Sequence, residues 1–162
     1  MKILIIYDSL FGNTKVIAQA IAEASTAANN QVIITGVNEA SLVDLKAVSL
    51  LIVGSPTQGG RPTPALQKFL EQIPANALNQ VNVAALDTRF LEEDQGFGLR
   101  MLMKVIGYAA PRIADSLKSK GGTLIAPPEG FIVKAKEGPL ADGEVERAKT
   151  WAQLILKNLG KN

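Results

Sequence analysis

The feature that most constrains this chain is the alternation of short, continuous apolar runs with longer amphipathic segments. The apolar runs lie at 2–7, 31–35, 48–54, 81–86 and 122–134. Such runs, rich in β-branched residues, are typical of strands buried on both faces of a parallel sheet. The segments that predict helices lie at 14–28, 40–46, 63–72, 111–120 and 140–159. The alternation predicts an α/β fold, a doubly wound, three-layer sandwich around a five-stranded parallel sheet.

Three parts of this pattern carry further expectations. The core-facing stripe predicted for the first helix consists of Val16, Ile17, Ala20, Ile21 and Ala24. The last run is interrupted by Pro127, Pro128 and Gly130, which predicts an edge strand or a bulge. The segment 96–110 fits neither pattern, and its apolar stretch at 101–106 predicts core packing or a packed lid. The alternative is an exposed patch that contacts a partner or a second copy.

Length and composition bound the possible classes of protein. The chain has 162 residues, 47% of them apolar, which predicts one globular domain over 1–162. A net charge of only +2 argues against a nucleic-acid surface. No uncharged apolar run reaches about 18 residues, so no membrane span is expected. The run after Met1 ends at Asp8, too short for a secretory leader, so the cytoplasm is the expected location.

Two residue types are missing altogether. The chain contains no cysteine, which excludes disulfides, thiolate nucleophiles and Cys-ligated clusters. It contains no histidine, which excludes Ser-His-Asp triads, His-ligated metal centres and the usual general base near neutral pH. Any chemistry must therefore come from carboxylates, Lys, Tyr, Ser or Thr, or from a bound cofactor.

Ligands of open α/β sheets bind outside the carboxyl ends of the strands, so the loops after the strands are the candidate site. The loop after the first strand comprises Ser9, Leu10, Phe11, Gly12, Asn13 and Thr14. Hydroxyl and amide donors beside a helix N-terminus predict a cradle for a phosphate group. Neither GxxxxGK[ST] nor GxGxxG is present, which argues against a nucleoside triphosphate or a dinucleotide. The plainer alternative is a capped turn without a ligand.

Two more loops follow the third and fourth strands. The loop after the third strand is rich in glycine and proline, which predicts a fixed shape and close backbone approach; it comprises Ser55, Pro56, Thr57, Gln58, Gly59 and Gly60. The loop after the fourth strand comprises Asp87, Thr88, Arg89 and Phe90. An aspartate that ends a buried strand is a poor core residue, and Asp87 is a candidate acceptor for a ring N–H.

The order of the elements and all three loops resemble the flavodoxin family over nearly the whole chain. Residues 9–14 match the family's phosphate motif T/S-x-x-G-x-T. Residues 55–60 match the glycine-rich loop over the reactive nitrogen of the flavin, and residues 86–90 match the loop at its pyrimidine end. The resemblance implies strand order 2-1-3-4-5, bound FMN, the sixteen residues 9–14, 55–60 and 87–90 as its binding site, and a low-potential one-electron carrier that serves redox partner proteins.

The chain departs from the family pattern in its aromatic residues and its charge. Gln58 stands where an aromatic residue often covers the inner face of the flavin. Phe90 is the best candidate for the outer face, with Phe97 behind it and the Arg89 guanidinium as a second contact. Phe11 is expected to lie buried under its loop. The chain also lacks the acidic excess of many flavodoxins.

The favoured hypothesis is an electron carrier in which a Gly59 or Gly60 peptide turns a carbonyl toward the flavin N5–H and favours one-electron steps. Reduced FMN is an anion, and Arg61, Arg89 and Arg100 offset the carboxylates at 92–94. We therefore expect its full reduction at a less negative potential than in acidic members of the family. The carboxylates at 92–94 predict a solvated loop or a contact with a redox partner.

Three alternatives remain open at this point. The first is an FMN-dependent NAD(P)H:quinone oxidoreductase of the same fold, which a lid at 96–110 would obstruct. The second is a receiver domain, but Asp8 stands alone and Gly54-Ser55 replaces the phosphate acceptor. The third is a protein of this fold that has lost FMN. A monomer is expected, with dimerisation through 96–110 as the alternative. Trp151 and Tyr7 are expected to be packing residues.

Overall fold

The computed structural model describes residues 1–45, 47–90 and 96–160. The first half of the chain forms β1 (Lys2–Tyr7), α1 (Asn13–Ala27), β2 (Gln31–Gly36), a 3₁₀ turn (Leu42–Leu45), β3 (Leu50–Pro56) and α2 (Pro64–Gln72). The second half forms β4 (Asn82–Arg89), α3 (Phe97–Ile106), α4 (Ala109–Ser119), β5 (Thr123–Leu124), β6 (Glu129–Ile132) and α5 (Glu144–Leu159). The predicted alternation of strands and helices is confirmed.

The strands form one parallel sheet in the order β2-β1-β3-β4-β5, and β6 also pairs with β4. The predicted order 2-1-3-4-5 is therefore confirmed. The last run of the sequence forms two short strands, because the prolines at 127 and 128 cannot donate to the ladder between them. The exposed side chains of β2 fit its place at one edge of the sheet.

Both faces of the sheet are covered, as the continuous apolar runs predict. Along β1, Ile3 and Ile5 pack on one face against α1 and α5, while Leu4 and Ile6 pack on the other against α2 and α4. Trp151 is buried and meets Phe131 edge to face at 6.1 Å between ring centroids, as expected of a packing residue. The three-layer architecture leaves the carboxyl ends of the strands open to a ligand.

Several helix boundaries differ from the predictions. Helix α4 begins two residues before Pro111, because a proline in the first turn of a helix costs no hydrogen bond. Helix α5 begins at Glu144, since Leu140 instead forms a bridge with Val133. The helix predicted at 40–46 is only a 3₁₀ turn; position 46 lies outside the described residues. Val16 is 41% exposed, because it lies beside the buried arc of α1 and not within it.

The prediction of core or lid packing for residues 101–106 is wrong for Met101, Leu102 and Val105, which are 51%, 51% and 82% exposed. Ile106 is half-buried against Gly60, and the side chains at 99 and 103 lie outside those that the structure describes. The carboxylates at 92–94, proposed above as a solvated or partner-facing loop, lie outside the described residues. None of the helices described here is long and apolar enough to cross a membrane.

Candidate functional site

The three predicted loops meet at the carboxyl end of the sheet. The register places Ser55 beside Asp87 and Pro56 beside Thr88, so the loops after β3 and β4 start side by side. Together with the loop after β1 they enclose a cavity of about 320 Å³. Eleven of the predicted residues line it: Ser9, Leu10, Phe11, Asn13, Thr14, Pro56, Thr57, Gln58, Thr88, Arg89 and Phe90. Five predicted residues do not: Gly12, Ser55, Gly59, Gly60 and Asp87.

The first loop, residues 8–14, ends in the N-terminus of α1. Gly12 caps the helix with φ = +87°, a conformation that glycine adopts without steric cost. The amide of Lys15 bonds the Ser9 hydroxyl at 3.2 Å, and the amide of Val16 bonds the Gly12 carbonyl at 3.0 Å. Within the described residues, the five amides from Leu10 to Thr14 have no hydrogen-bond acceptor. Consecutive unbonded N–H groups at a helix N-terminus form an anion-binding site.

Side chains from other elements hold this loop in place. The buried Thr14 hydroxyl meets the Thr88 hydroxyl at 2.9 Å, which ties the first turn of α1 to β4. The Asn13 side chain donates to the Glu137 carbonyl at 3.1 Å. Asp8 accepts from the Ser9 amide at 2.8 Å and from the Thr63 hydroxyl at 2.5 Å. The unbonded amides are thus presented on a fixed backbone.

The sequence reasoning missed two residues of the cavity wall, Val133 and Lys136. Both follow β6, whose pairing with β4 brings this loop to the same end of the sheet. Lys136 is exposed and forms no ion pair with any residue in the part of the chain that is described. The available signal was the position of Lys136 after a strand, at the edge where the other loops meet.

The second loop contains a tight turn, here called the glycine turn, from Gln58 to Arg61. The amide of Gln58 donates to the Arg61 carbonyl at 2.9 Å, and the amide of Arg61 donates to the Gln58 carbonyl at 3.0 Å. Gly59 and Gly60 have φ of +53° and +77°, the positive pair that characterises a type I′ turn. A Cβ at Gly60 would clash with Ile106, whereas a Cβ at Gly59 would meet open space.

The N-terminus of α4 fixes the base of the glycine turn. The amide of Ala109 donates to the Thr57 hydroxyl at 2.9 Å, and the amide of Ala110 donates to Asp87 Oδ2 at 2.7 Å. Arg112, one turn further on, donates from Nε to the Gly60 carbonyl at 2.8 Å. Residues about fifty positions away in the sequence therefore shape this part of the site.

Asp87 is fully buried and does not face the cavity. Its carboxylate forms two hydrogen bonds with the Arg89 guanidinium, at 2.5 and 2.8 Å, beside the bond from Ala110. Burial raises the pKa of Asp87, and the bonds and positive charge of Arg89 partly oppose that rise. Arg89 in turn lies over the Tyr108 ring, 3.8 Å from its centroid. The carboxylate therefore orients Arg89 and α4, and both of its oxygens are engaged.

Two other predicted residues also have internal partners. The buried Ser55 hydroxyl donates to the Pro56 carbonyl at 2.9 Å and accepts from the Thr63 amide at 3.0 Å. Gly60 is buried against Ile106. These residues shape the second loop from behind, while Pro56, Thr57 and Gln58 form its cavity-facing side.

The aromatic side chains are arranged only partly as expected. Phe90 is half-buried and lines the cavity, whereas Phe97 is 81% exposed and does not. The prediction that Phe11 lies buried under its loop is wrong, because its side chain is 47% exposed on the cavity rim. Gln58 is exposed and lines the cavity at the position discussed above. The walls thus combine aromatic and polar surface.

The donor set indicates what this cavity is able to bind. The loop with five unbonded amides lines it, as do Ser9 and Lys136. Phe90 and Gln58, the first residue of the glycine turn, line it as well. Such an arrangement suits a phosphate monoester joined to a flat ring that offers N–H and carbonyl groups at its edge.

Comparison with known proteins gives a consistent picture. A family model described as "Flavodoxin domain" matches residues 4–104. A curated flavodoxin from Aquifex aeolicus (strain VF5) is 36% identical over 73 residues, which cover 44% of this chain and 40% of that protein. The match thus spans about two fifths of the length of that relative.

Solved structures resemble this chain over almost its whole length. A flavodoxin from the domain Archaea superposes with a TM-score of 0.77 at 22% identity, covering 99% of both chains. Oxidised Flavodoxin 1 from Bacillus cereus superposes with a TM-score of 0.76 at 16% identity, covering 97% of this chain and 98% of that one. At these identities the likeness establishes a shared fold.

Proposed function

Because this chain belongs to the flavodoxin family, we propose that it binds FMN without a covalent bond and carries single electrons between redox partner proteins. One observation carries this proposal: the cavity is lined both by the loop with five unbonded amides at the N-terminus of α1 and by Thr57 and Gln58, which lead into a Gly-Gly turn. The amides suit the phosphate of FMN, and the turn suits a close approach of backbone to its ring.

The first loop would hold the phosphate. Its amides from Leu10 to Thr14 and the Ser9 hydroxyl are neutral donors, and the dipole of α1 adds partial positive charge. Lys136 supplies a full charge on the same side. Because Thr14, Asn13 and Asp8 are fixed by bonds to other elements, the cradle needs little reordering when the phosphate enters.

The second and third loops would hold the flavin ring. Phe90 supplies an aromatic wall, and Gln58 supplies a polar one. Thr57 and Thr88 border the cavity between them, with the Thr57 amide bonded to the Thr88 carbonyl at 3.0 Å. In this proposal Asp87 acts indirectly: it holds Arg89 and the start of α4, and Arg89 faces the cavity edge.

Bound FMN supplies reversible one-electron and two-electron chemistry. This chain contributes a hydrogen-bond acceptor at the glycine turn. Rotation of the Gly59–Gly60 peptide converts a type I′ turn into a type II′ turn, and both types join the same pair of flanking residues. In that conformation the Gly59 carbonyl would be able to accept a hydrogen bond from an N–H group of the reduced flavin ring. Such a bond favours transfer of one electron at a time.

The charges around the cavity bear on the potential of full reduction, which makes the flavin an anion. Arg89, counted above as a compensating cation, is neutralised by Asp87. Arg61, Lys15 and Lys136 are exposed and have no carboxylate partner within the described residues. We therefore retain the expectation of a less negative potential than in acidic flavodoxins.

The binding claim is tested by titration of the protein with FMN and, in parallel, with riboflavin, which lacks the phosphate. Flavin fluorescence quenching gives both dissociation constants. We expect FMN to bind at least tenfold more tightly than riboflavin, since several N–H groups have the phosphate as their only partner. Equal affinity for the two flavins, or no binding of either, would contradict the proposal.

One observation favours a second candidate function. None of the described residues of α3 lines the cavity, so the described part of this helix leaves room there for a second substrate. An FMN-dependent NAD(P)H:quinone oxidoreductase needs that access. An assay of FMN-loaded protein with NADH and a benzoquinone separates the two functions. Rapid turnover supports the oxidoreductase, whereas slow turnover with stable half-reduced protein supports the carrier.

A further inference from the structure

Arg112 contacts the proposed flavin site only through backbone. Its Nε donates to the Gly60 carbonyl at 2.8 Å, and its Nη2 donates to the Ile106 carbonyl at 3.0 Å. The guanidinium thereby joins the glycine turn to the end of α3 from the outer side. It does not line the cavity.

The carbonyls of the glycine turn are not equivalent. Those of Gln58 and Arg61 accept the two hydrogen bonds that close the turn, and that of Gly60 accepts the bond from Arg112. The Gly59 carbonyl accepts no hydrogen bond within the described residues. Of the four acceptors in the turn, one is left over for a ligand.

Rotation of a single peptide changes only two dihedral angles, ψ of Gly59 and φ of Gly60. The two closing bonds between Gln58 and Arg61 do not depend on those angles, because type I′ and type II′ turns share them. The Gly60 carbonyl and the Arg61 amide belong to one planar peptide unit, which is held both by the closing bond to Gln58 and by the bond from Arg112. Gly60 is also held against Ile106, where a Cβ would not fit.

We propose that Arg112 is a positioning residue for the redox reaction: by holding the Gly60 carbonyl against α4, it confines movement of the turn to the Gly59–Gly60 peptide. This inference rests on the proposed function. Without the Arg112 bond, one closing hydrogen bond alone would hold the Gly60–Arg61 peptide, and the arrangement that accepts the flavin N–H would cost more conformational entropy. The potential of the first one-electron step, from oxidised to half-reduced protein and here called the first potential, would then fall.

A simple charge effect predicts a different outcome. Loss of a cation near the ring disfavours the fully reduced, anionic flavin. It therefore lowers the potential of the second one-electron step, here called the second potential. Arg61 serves as the matched control, because it belongs to the same turn, is exposed, and has no side-chain hydrogen bond or ion pair within the described residues. Arg61→Gln removes the same charge from the same turn and keeps the Gly60 carbonyl bonded.

The test uses two variants of Arg112 that differ in hydrogen bonding. In Arg112→Gln the amide nitrogen stands at the chain position of Nε and can still donate to Gly60; in Arg112→Met that position is a methyl group. Both remove the charge. We expect Arg112→Met to lower the first potential by at least about 28 mV, which corresponds to a threefold change in the equilibrium constant for one electron. Arg112→Gln should shift it by less than half as much, and Arg61→Gln should leave it unchanged.

A second readout needs no cofactor. In the flavin-free protein, hydrogen exchange of the Arg61 amide, measured by NMR, reports opening of the turn. We expect at least threefold faster exchange in Arg112→Met, and wild-type exchange in Arg112→Gln. Equal shifts in both Arg112 variants, or no change in Arg112→Met, would overturn the inference. If FMN does not bind, the proposed function fails, and the exchange rates alone still decide whether Arg112 positions the turn.

Discussion

The first loop and the second loop, which contains the glycine turn, both line one cavity, yet their shapes have different origins. The first loop is defined mainly by its own residues: the Gly12 cap, the bond from Lys15 to Ser9, and the start of α1. The glycine turn is held by α4, through Ala109 at its base and Arg112 at its tip. The first loop leaves donors unbonded, and the turn leaves one acceptor unbonded. A phosphate requires hydrogen-bond donors, whereas a ring N–H requires an acceptor.

The largest expected effect is the difference in stability between two Gly→Ala substitutions, one in the glycine turn and one in the first loop. Gly60→Ala forces a Cβ against Ile106 and onto a residue with positive φ, which costs about 4 kcal/mol in unfolding free energy. In Gly12→Ala the added Cβ meets open space, so only the positive φ lowers the unfolding free energy, by about 1 kcal/mol. Urea unfolding of both variants measures the difference. Equal losses would show that the turn is no more tightly held than the loop.

Asp87→Ala tests the support behind the turn. The variant leaves Arg89 and the Ala110 amide without their partner, and loss of one member of a buried ion pair costs about 3 kcal/mol. Because the first loop is held by other bonds, the ratio of riboflavin to FMN dissociation constants should stay at its wild-type value. Asp115→Ala, which removes an exposed carboxylate from α4, is the control and should change little. A fall of this ratio toward one would mean that phosphate binding by the first loop depends on the support behind the glycine turn.

Lys136→Met tests the phosphate-binding part of the cavity and leaves the glycine turn unchanged. We expect FMN to bind three- to tenfold more weakly, about 1 kcal/mol, because one charge near the phosphate is lost. Riboflavin should bind as before, and both one-electron potentials should keep their separation. Lys118→Met, at the far end of α4, is a control of the same chemistry. Weakened riboflavin binding would place Lys136 at the ring and not at the phosphate.

The smallest effect concerns the loop that supports Asn13. Lys134 donates a hydrogen bond to Asp142 at 2.8 Å and lowers the pKa of this exposed carboxyl below its ordinary value. A lowered pKa stabilises the folded state above the ordinary Asp pKa, and this contribution is lost as the pH falls through the lowered value. Asp142→Asn should therefore cost a little stability at neutral pH and none in acid. Urea unfolding at both pH values and at high salt, where the cost should shrink, measures it.

The same contrast explains how far the sequence predicts the structure. The sheet order follows from local runs and family resemblance, and the first loop follows from Gly12 and its polar neighbours. The bonds from Ala109, Ala110 and Arg112 join residues that are far apart in the chain, and no local pattern marks them. The same holds for Lys136, which reaches the cavity only because β6 pairs with β4. The exposure of Met101, Leu102 and Val105 was not predicted, because apolar composition alone does not distinguish packed from exposed side chains.

The most direct test of the account is stepwise reduction of the FMN-loaded protein, followed by its visible spectrum. The account predicts two separate one-electron steps, with a distinct spectrum at half reduction that matches no mixture of oxidised and fully reduced protein. The second step should lie at a less negative potential than in acidic flavodoxins. A single two-electron step would contradict the central claim that the glycine turn favours the transfer of one electron at a time.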